Sequence, residues 1–269
     1  MTFSDWPQIL LLVLIGAVAS GINSVAGGGS LISFPALNLG FHIPTLEANA
    51  TNSVGLWPGS LSGAWGFRKV LGATQGYLKL LGPPTLLGSS FGAWLLTVTD
   101  KKVFEFVVPI LLFVATLLLW LQPKIKRLVL REGKVIAPST AVALQLVVSA
   151  YGGYFGAGMG IMMLAVFALF MDANIHEINA VKTILGVVIN LTASILFLTK
   201  GIASTTPNTP HLQLGLVYVV PAAALTVGSL IGGYYAAKWS QRVDPDRLRI
   251  WIAVFGAVMS ANFAWRVWH

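Results

Sequence analysis

The chain reads as an all-α integral membrane protein built by inverted duplication, with about five helical segments in each half and roughly eight to ten in total, the first two of each half short and broken at glycines. Three observations carry that expectation. Apolar residues make up 56% of the 269 and charged residues only 10%, far too few charges for the surface of a water-soluble domain. An interrupted apolar stretch occurs twice, at Ala26-Gly27-Gly28-Gly29 and again at Ala157-Gly158-Met159-Gly160. The basic residues are gathered in the connections between apolar runs, and mostly on one side of the topology those runs define.

Composition also excludes classes. The net charge of +8 would suggest nucleic acid in a soluble protein, but its placement between apolar runs fits membrane orientation better. There is no cysteine, so disulfides and thiolate metal sites are out of reach. The N-terminal run from Pro7 to Val25 has Asp5 rather than a basic region before it and no small-residue cleavage pattern after it, so no cleavable leader is expected.

Taken in order, full-length apolar segments cover about 45–67, 77–99, 103–121, 177–199, 211–237 and 248–268, each long enough for roughly 30 Å of hydrocarbon. The stretches 7–41 and 138–172 are too long for one crossing and short for two, and each holds its glycine break; each is either a re-entrant hairpin or two short crossings. Both options give a half an odd number of crossings, so the second half starts from the opposite side. The expected organisation is a first membrane repeat at 1–121, a cytoplasmic connection at 122–137 and a second repeat at 138–269. Small residues spaced by four at Gly88, Gly92, Gly228 and Gly232 read as helix-packing seams more readily than as the lining of a path.

Charge placement is an independent check. Arg68, Lys69, Lys79, Lys124, Lys126, Arg127, Arg131, Lys134, Lys238, Arg242, Arg247 and Arg249 fall on one side, and Lys101, Lys102, Lys200 and Arg266 on the other. If the larger set is cytoplasmic, both termini are outside.

The breaks are the first candidates for function. Irregular backbone at membrane depth survives only when it is packed in protein or lines a wet cavity. A helix that starts after such a break turns unpaired N–H groups and a positive dipole end toward it, which suits an anion. The helix starts are expected near Ser30 and Ile161, with Gly27, Gly28, Gly29, Gly158 and Gly160 shaping the breaks; the plainer alternative is that these glycines only permit a close helix crossing. After each break the same polar pattern follows at an offset of 130: Glu47, Asn49, Thr51, Asn52 and Ser53 against Glu177, Asn179, Val181, Lys182 and Thr183.

Lys182 stands where the first half has Asn52, and a lysine inside an apolar helix needs a cavity, a carboxylate or an anion. Snorkelling to the nearer membrane face is the competing account. Glu47 and Glu177 either cap their helices or couple transport to protons. Asn23 is an amide inside an apolar run, suited to tying helices together or to touching an anion. The four histidines are scattered without ligand spacing, so no metal is expected.

Together Gly21-Ile22-Asn23-Ser24-Val25-Ala26-Gly27-Gly28-Gly29-Ser30 with Pro35, Glu47-Ala48-Asn49-Ala50-Thr51-Asn52-Ser53, Gly153-Tyr154-Phe155-Gly156-Ala157-Gly158-Met159-Gly160 and Ala180-Val181-Lys182-Thr183 resemble the sulfite exporter family of the TauE and SafE type, over essentially the whole chain. Met159 and the missing counterpart of Pro35 depart from full symmetry. The resemblance implies transport of sulfite, an organosulfonate or a related oxyanion across the inner membrane of a prokaryote, usually outward. The expectation is therefore a secondary transporter, not an enzyme, without a cofactor, whose partners are a small anion and the lipid bilayer, with a homodimer left open. An anion-selective channel and an uptake carrier for another small organic anion are the alternatives.

Overall fold

A computed structural model describes residues 5–25, 28–66, 71–132, 136–173, 175–200, 213–239 and 245–268. The fold is all-α apart from one small hairpin. Helix α1 is Trp6–Val25, α2 Ser30–Pro35 and, directly continuing it, a wider π-helical segment Ala36–Gly40; α3 is Thr45–Gly66, α4 Leu71–Val98 and α5 Lys101–Glu132. The second series runs α6 Pro138–Tyr154, α7 Met159–Phe170, α8 Ile175–Thr199, α9 Val219–Trp239 and α10 Pro245–Trp268. Strands β1 (Gln213–Leu214) and β2 (Val217–Tyr218) pair antiparallel between α8 and α9.

Each short helix has a local cause. The first break follows α1 and the second follows α6, and α2 and α7 begin at Ser30 and Met159, within two residues of the expected starts. Pro35 has no N–H and its ring crowds the preceding turn; the backbone widens right after it, with the Phe41 N–H reaching back five residues to the Ala36 carbonyl. The matching position in α7 is Ala165, and α7 stays α-helical to Phe170.

Three boundaries differ from the sequence expectation, the smallest shift being the start of α4 at Leu71 rather than near 77. The apolar run 211–237 does not enter a helix until Val219, because Gly215 turns the chain in the left-handed region (φ +59°) and the Leu216 N–H bonds the Phe197 carbonyl at the end of α8. Helix α5 continues beyond residue 121 to Glu132, since nothing in 122–132 breaks it: Pro123 is accommodated within the helix.

Among the described residues, four helices are long and apolar enough to cross a bilayer, at Trp6–Ser24, Lys101–Lys124, Glu177–Thr199 and Arg247–Trp268. Helices α3, α4 and α9 have 22, 28 and 21 residues, and α3 in particular carries polar residues inward. The outward faces are apolar: Leu14 and Val18 of α1, Leu87 and Phe91 of α4, Phe106 and Phe113 of α5, and Val258 of α10 are all exposed. The polar side chains of α3 are buried instead, including Glu47, Asn49, Thr51, Asn52 and Ser53. Apolar faces outside, with polar side chains kept inside, is the arrangement that lipid requires.

Helix pairing repeats itself when the halves are exchanged. α1 packs on α9 as α6 packs on α4, α3 on α9 as α8 on α4, and α2 on α10 as α7 on α5, while α3 meets α8 and α5 meets α10 at the centre. The glycine seams make the first of these contacts: Gly228 and Gly232 leave no room for a Cβ against the carbonyls of Val13 and Ala17, nor do Gly88 and Gly92 against Leu146 and Ala150. Close backbone approach of this kind is how membrane helices gain packing without a hydrophobic driving force between them. A second buried knot on the α4 and α6 seam joins Gln145 Nε2 to Thr85 Oγ1 at 2.9 Å and to Ser149 Oγ at 3.1 Å.

Candidate functional site

The two breaks share a conformational feature. Gly28 and Gly158, 130 positions apart, both take positive φ, +102° and +79°, a region closed to side-chain-bearing residues without strain. Each then opens a helix: the Leu31 N–H bonds the Gly28 carbonyl at 2.9 Å and the Ile161 N–H bonds the Gly158 carbonyl at 3.0 Å. No side chain caps either helix at its start.

The breaks are held in different ways. In the first, Asn23 Oδ1 accepts the Gly28 N–H at 3.3 Å, so the Asn23 carbonyl oxygen serves the backbone. In the second, the Tyr151 hydroxyl donates to the Ala157 carbonyl at 2.7 Å. Packing also fixes them. A Cβ on Gly158 would lie 3.0 Å from the Ala115 Cβ and 3.1 Å from its Cα, and one on Gly29 would overlap the Ala19 carbonyl. These glycines thus serve close packing.

Helices α3 and α8 supply the polar side chains. Asn49 Nδ2 donates to the Tyr154 carbonyl at 3.0 Å, tying α3 of one half to the last residue of α6 in the other. Its Oδ1 is buried without a partner. Phe34 of α2 stands edge-on to Phe155, with ring centroids 5.4 Å apart, so the second break abuts both α2 and α3. Ser53 donates to the Asn49 carbonyl at 3.0 Å and Thr183 to the Asn179 carbonyl at 2.7 Å. Both hydroxyl protons are thereby spent on their own helices, one turn back, and only their lone pairs remain.

Asn52 and its counterpart behave differently. Ser33 Oγ of α2 donates to Asn52 Oδ1 at 2.5 Å, while Asn52 Nδ2 has no acceptor among the described residues. Lys182 is buried, at 8% exposure, and makes no hydrogen bond or ion pair among the described residues. Its Cδ would lie 3.9 Å from a Cβ placed on Gly160, the second residue of α7.

That position separates an inward lysine from a snorkelling one. α7 and α8 are joined by a connection of four residues and pack on each other, and Met159 and Met163 of α7 lie against Gly186, a turn beyond Lys182. Gly160 is therefore about 15 Å along α7 from the end where α8 starts, while Lys182 is about 10 Å along α8 from that end. The lysine stem runs deeper toward the start of α7. Snorkelling would take it back along Phe167 and Phe170, the direction in which helical side chains ordinarily lean.

Glu47 is buried in the first turn of α3 and pairs with Lys101 at the start of α5, whose side chain is 62% exposed. Glu47 Oε2 is buried with no partner. Beside it the Tyr218 N–H bonds Thr51 Oγ1 at 3.1 Å. Burial, and after it the Glu47 carboxylate, hold the Tyr218 phenol above its usual range, with Lys101 opposing. Glu47 therefore begins in an ion pair, and Lys101 was legible in the sequence only as an external charge.

Of the remaining expected residues, Ser30 opens α2 and is half-buried, Glu177 lies in the first turn of α8, Asn179 is half-buried one turn before Thr183, and Gly27 lies outside the described residues. Ser33 and Tyr151 were not anticipated. Ser33 lies three residues beyond Ser30, but only a folded α2 and α3 hairpin brings it to Asn52. Tyr151 needed the α6 turn to reach Ala157. Asp172 is exposed beyond α7. Among the described residues, no cluster of histidine and carboxylate side chains could hold a metal ion.

The profile of the sulfite exporter TauE/SafE family matches residues 12–263. A probable membrane transporter protein of Haemophilus influenzae is 25% identical over 264 residues, covering 96% of this chain and 94% of that protein. The probable membrane transporter protein YfcA of Escherichia coli K12 is 26% identical over 254 residues, covering 94% and 88%. The probable membrane transporter protein ORF9 of a Sinorhizobium species is 26% identical, covering 92% and 91%. No solved structure matches. A match from the middle of α1 to the last turns of α10, over a fold with apolar faces outside and polar side chains kept inside, means that this chain belongs to the sulfite exporter TauE/SafE family and is a membrane transporter, not an enzyme.

Proposed function

We propose that the protein is a secondary carrier that exports a small sulfur-containing anion, sulfite or an organosulfonate, across the inner membrane of a prokaryote. The observation that carries this reading is Lys182, a buried cation without a carboxylate, running toward the uncapped start of α7. An ammonium in that setting is stabilised by an anion, and the first N–H groups of a helix add donors and a favourable dipole. Asn52 Nδ2, on the helix that packs against α8, is a further donor that makes no hydrogen bond among the described residues. A tetrahedral oxyanion offers several acceptors to such a set of donors.

The binding set on this reading is Lys182, Asn52 and the backbone of the two breaks at Gly28, Gly29, Ser30, Gly158 and Gly160, with Asn23, Asn49, Asn179, Ser53 and Thr183 shaping it. Glu47 and Glu177 are the proton-coupling candidates, and Glu47 can serve only if Lys101 lets go of it. The repeats 1–121 and 138–269 are related by inversion, a reading supported by the exchangeable helix pairing. Both termini are outside, supported by the clustering of basic residues in the connections after α3, α5 and α9.

Counterflow in proteoliposomes tests the function. Vesicles preloaded with unlabelled sulfite should accumulate labelled sulfite transiently and saturably, and a panel of sulfate, thiosulfate, taurine and sulfoacetate ranks the substrates. Flux that neither saturates nor shows counterflow would mean a channel instead.

A further inference from the structure

We infer that the site selects anions by charge, taking singly charged sulfur oxyanions such as sulfonates and bisulfite over doubly charged ones such as sulfate. This inference rests on the anion site proposed above and adds a count of its charges. The buried charged side chains of the described interior are Glu47 and Lys182. Glu47 is neutralised by Lys101 near the start of α3. Lys182, beside Gly160 at the start of α7, is left as one positive charge without a carboxylate partner among the described residues, and the matching place on α3 holds the neutral Asn52, tied to Ser33.

The charges on the surrounding elements are not paired with Lys182. Glu177, five residues before it in the first turn of α8, makes no hydrogen bond or ion pair with it. On α4, which packs against α8, Lys79 is exposed. A monoanion therefore brings the binding layer to zero net charge. A dianion leaves one negative charge in a low-dielectric interior, where an unpaired charge is strongly disfavoured. The half-sites thus divide their work: Lys182 supplies charge, and Asn52 with Ser33 supplies neutral hydrogen bonding.

The test compares two tetrahedral oxyanions of different charge, methanesulfonate and sulfate, as competitors of labelled sulfite counterflow by reconstituted full-length protein at matched ionic strength. Methanesulfonate should compete at concentrations at least about tenfold lower than sulfate. Asn52→Lys, which puts a second cation at the equivalent position, should shift the ratio toward sulfate by about tenfold or more. Equal competition in the wild type, or a ratio unmoved by a folded Asn52→Lys, would overturn the charge count while leaving the anion site intact. Failure of both anions to compete, with counterflow of sulfite preserved, overturns the count as well, since the selected form would then not be a monoanion as such.

One arm needs no variant. Between mildly acidic and mildly alkaline pH sulfite passes from bisulfite to the dianion, whereas methanesulfonate keeps its single charge. The apparent affinity for total sulfite relative to that for methanesulfonate should fall with the bisulfite fraction, a ratio that cancels any change in the protein's own charge. A ratio that stays level across the range would overturn the inference. Absence of any counterflow with sulfite or methanesulfonate would remove the proposed site, and this inference with it.

Discussion

Asn52 and Lys182 are each the eighth residue of their helices, α3 and α8, yet Asn52 is bonded by Ser33 and Lys182 by nothing among the described residues. The difference follows from the neighbouring short helix. Position 33 on α2 is a serine, whose hydroxyl can reach Asn52; the position 130 residues on is Met163, which packs against Gly186 and offers no acceptor. The helix pairing matches between the two series while the residue at this place is neutral in one and charged in the other.

Ser33→Ala tests the neutral half. Removing the hydroxyl leaves Asn52 Oδ1 buried without its donor, which should cost about 1 to 3 kcal/mol of stability. Thermal unfolding in detergent measures it. Substrate affinity should fall less than in a Lys182 variant, because no charge is lost.

The Glu47 and Lys101 pair should respond asymmetrically. Lys101→Met strands a carboxylate that is only 5% exposed, and should destabilise by about 1 to 3 kcal/mol, a range reduced from that of a fully buried pair because Lys101 is largely in solvent. Glu47→Gln leaves only an exposed lysine behind and should cost less. The double variant should recover much of the loss of Lys101→Met. Equal losses in both single variants would show that the pair is held by something other than the buried carboxylate.

At the breaks, Gly28→Ala and Gly158→Ala should each lose about 1 to 2 kcal/mol to left-handed strain. Gly158→Ala should lose more through Ala115, since its contact there is with backbone as well as Cβ, whereas a Cβ at Gly28 meets only the side chains of Leu31 and Leu119. Ala115→Gly should partly restore Gly158→Ala and do nothing for Gly28→Ala. Unfolding temperatures of the four proteins decide the matter.

Because the chain has no cysteine, single introduced cysteines report sidedness directly. Lys102→Cys should react with an impermeant maleimide from outside and Ser139→Cys only after permeabilisation; both positions are exposed. Reversal of the two would invert the orientation.

What could be read in advance, and what could not, has a physical basis. The breaks were legible because glycine is the residue that tolerates positive φ, and the structure uses Gly28 and Gly158 in that way. The seams at Gly88, Gly92, Gly228 and Gly232 were legible because small residues at helical spacing have one common use in lipid. The start of α9 was not, since an apolar run says nothing about a hairpin turned by Gly215 and held by a carbonyl of α8. Nor were the Ser33 to Asn52 and Tyr151 to Ala157 bonds, which depend on how short helices fold back. Lys182 stood out as a buried charge, but its direction came only from its place beside Gly160.

The central claim is that Lys182 binds the transported anion, and the most direct measurement is the half-saturation concentration for sulfite counterflow in wild-type and Lys182→Gln protein at two ionic strengths with matched reconstitution. Loss of a charged hydrogen bond in a shielded site predicts a rise of roughly 5- to 150-fold, about 1 to 3 kcal/mol, with the folded fraction unchanged. An unchanged half-saturation concentration in Lys182→Gln would contradict the account and leave the backbone of the two breaks without its cationic partner.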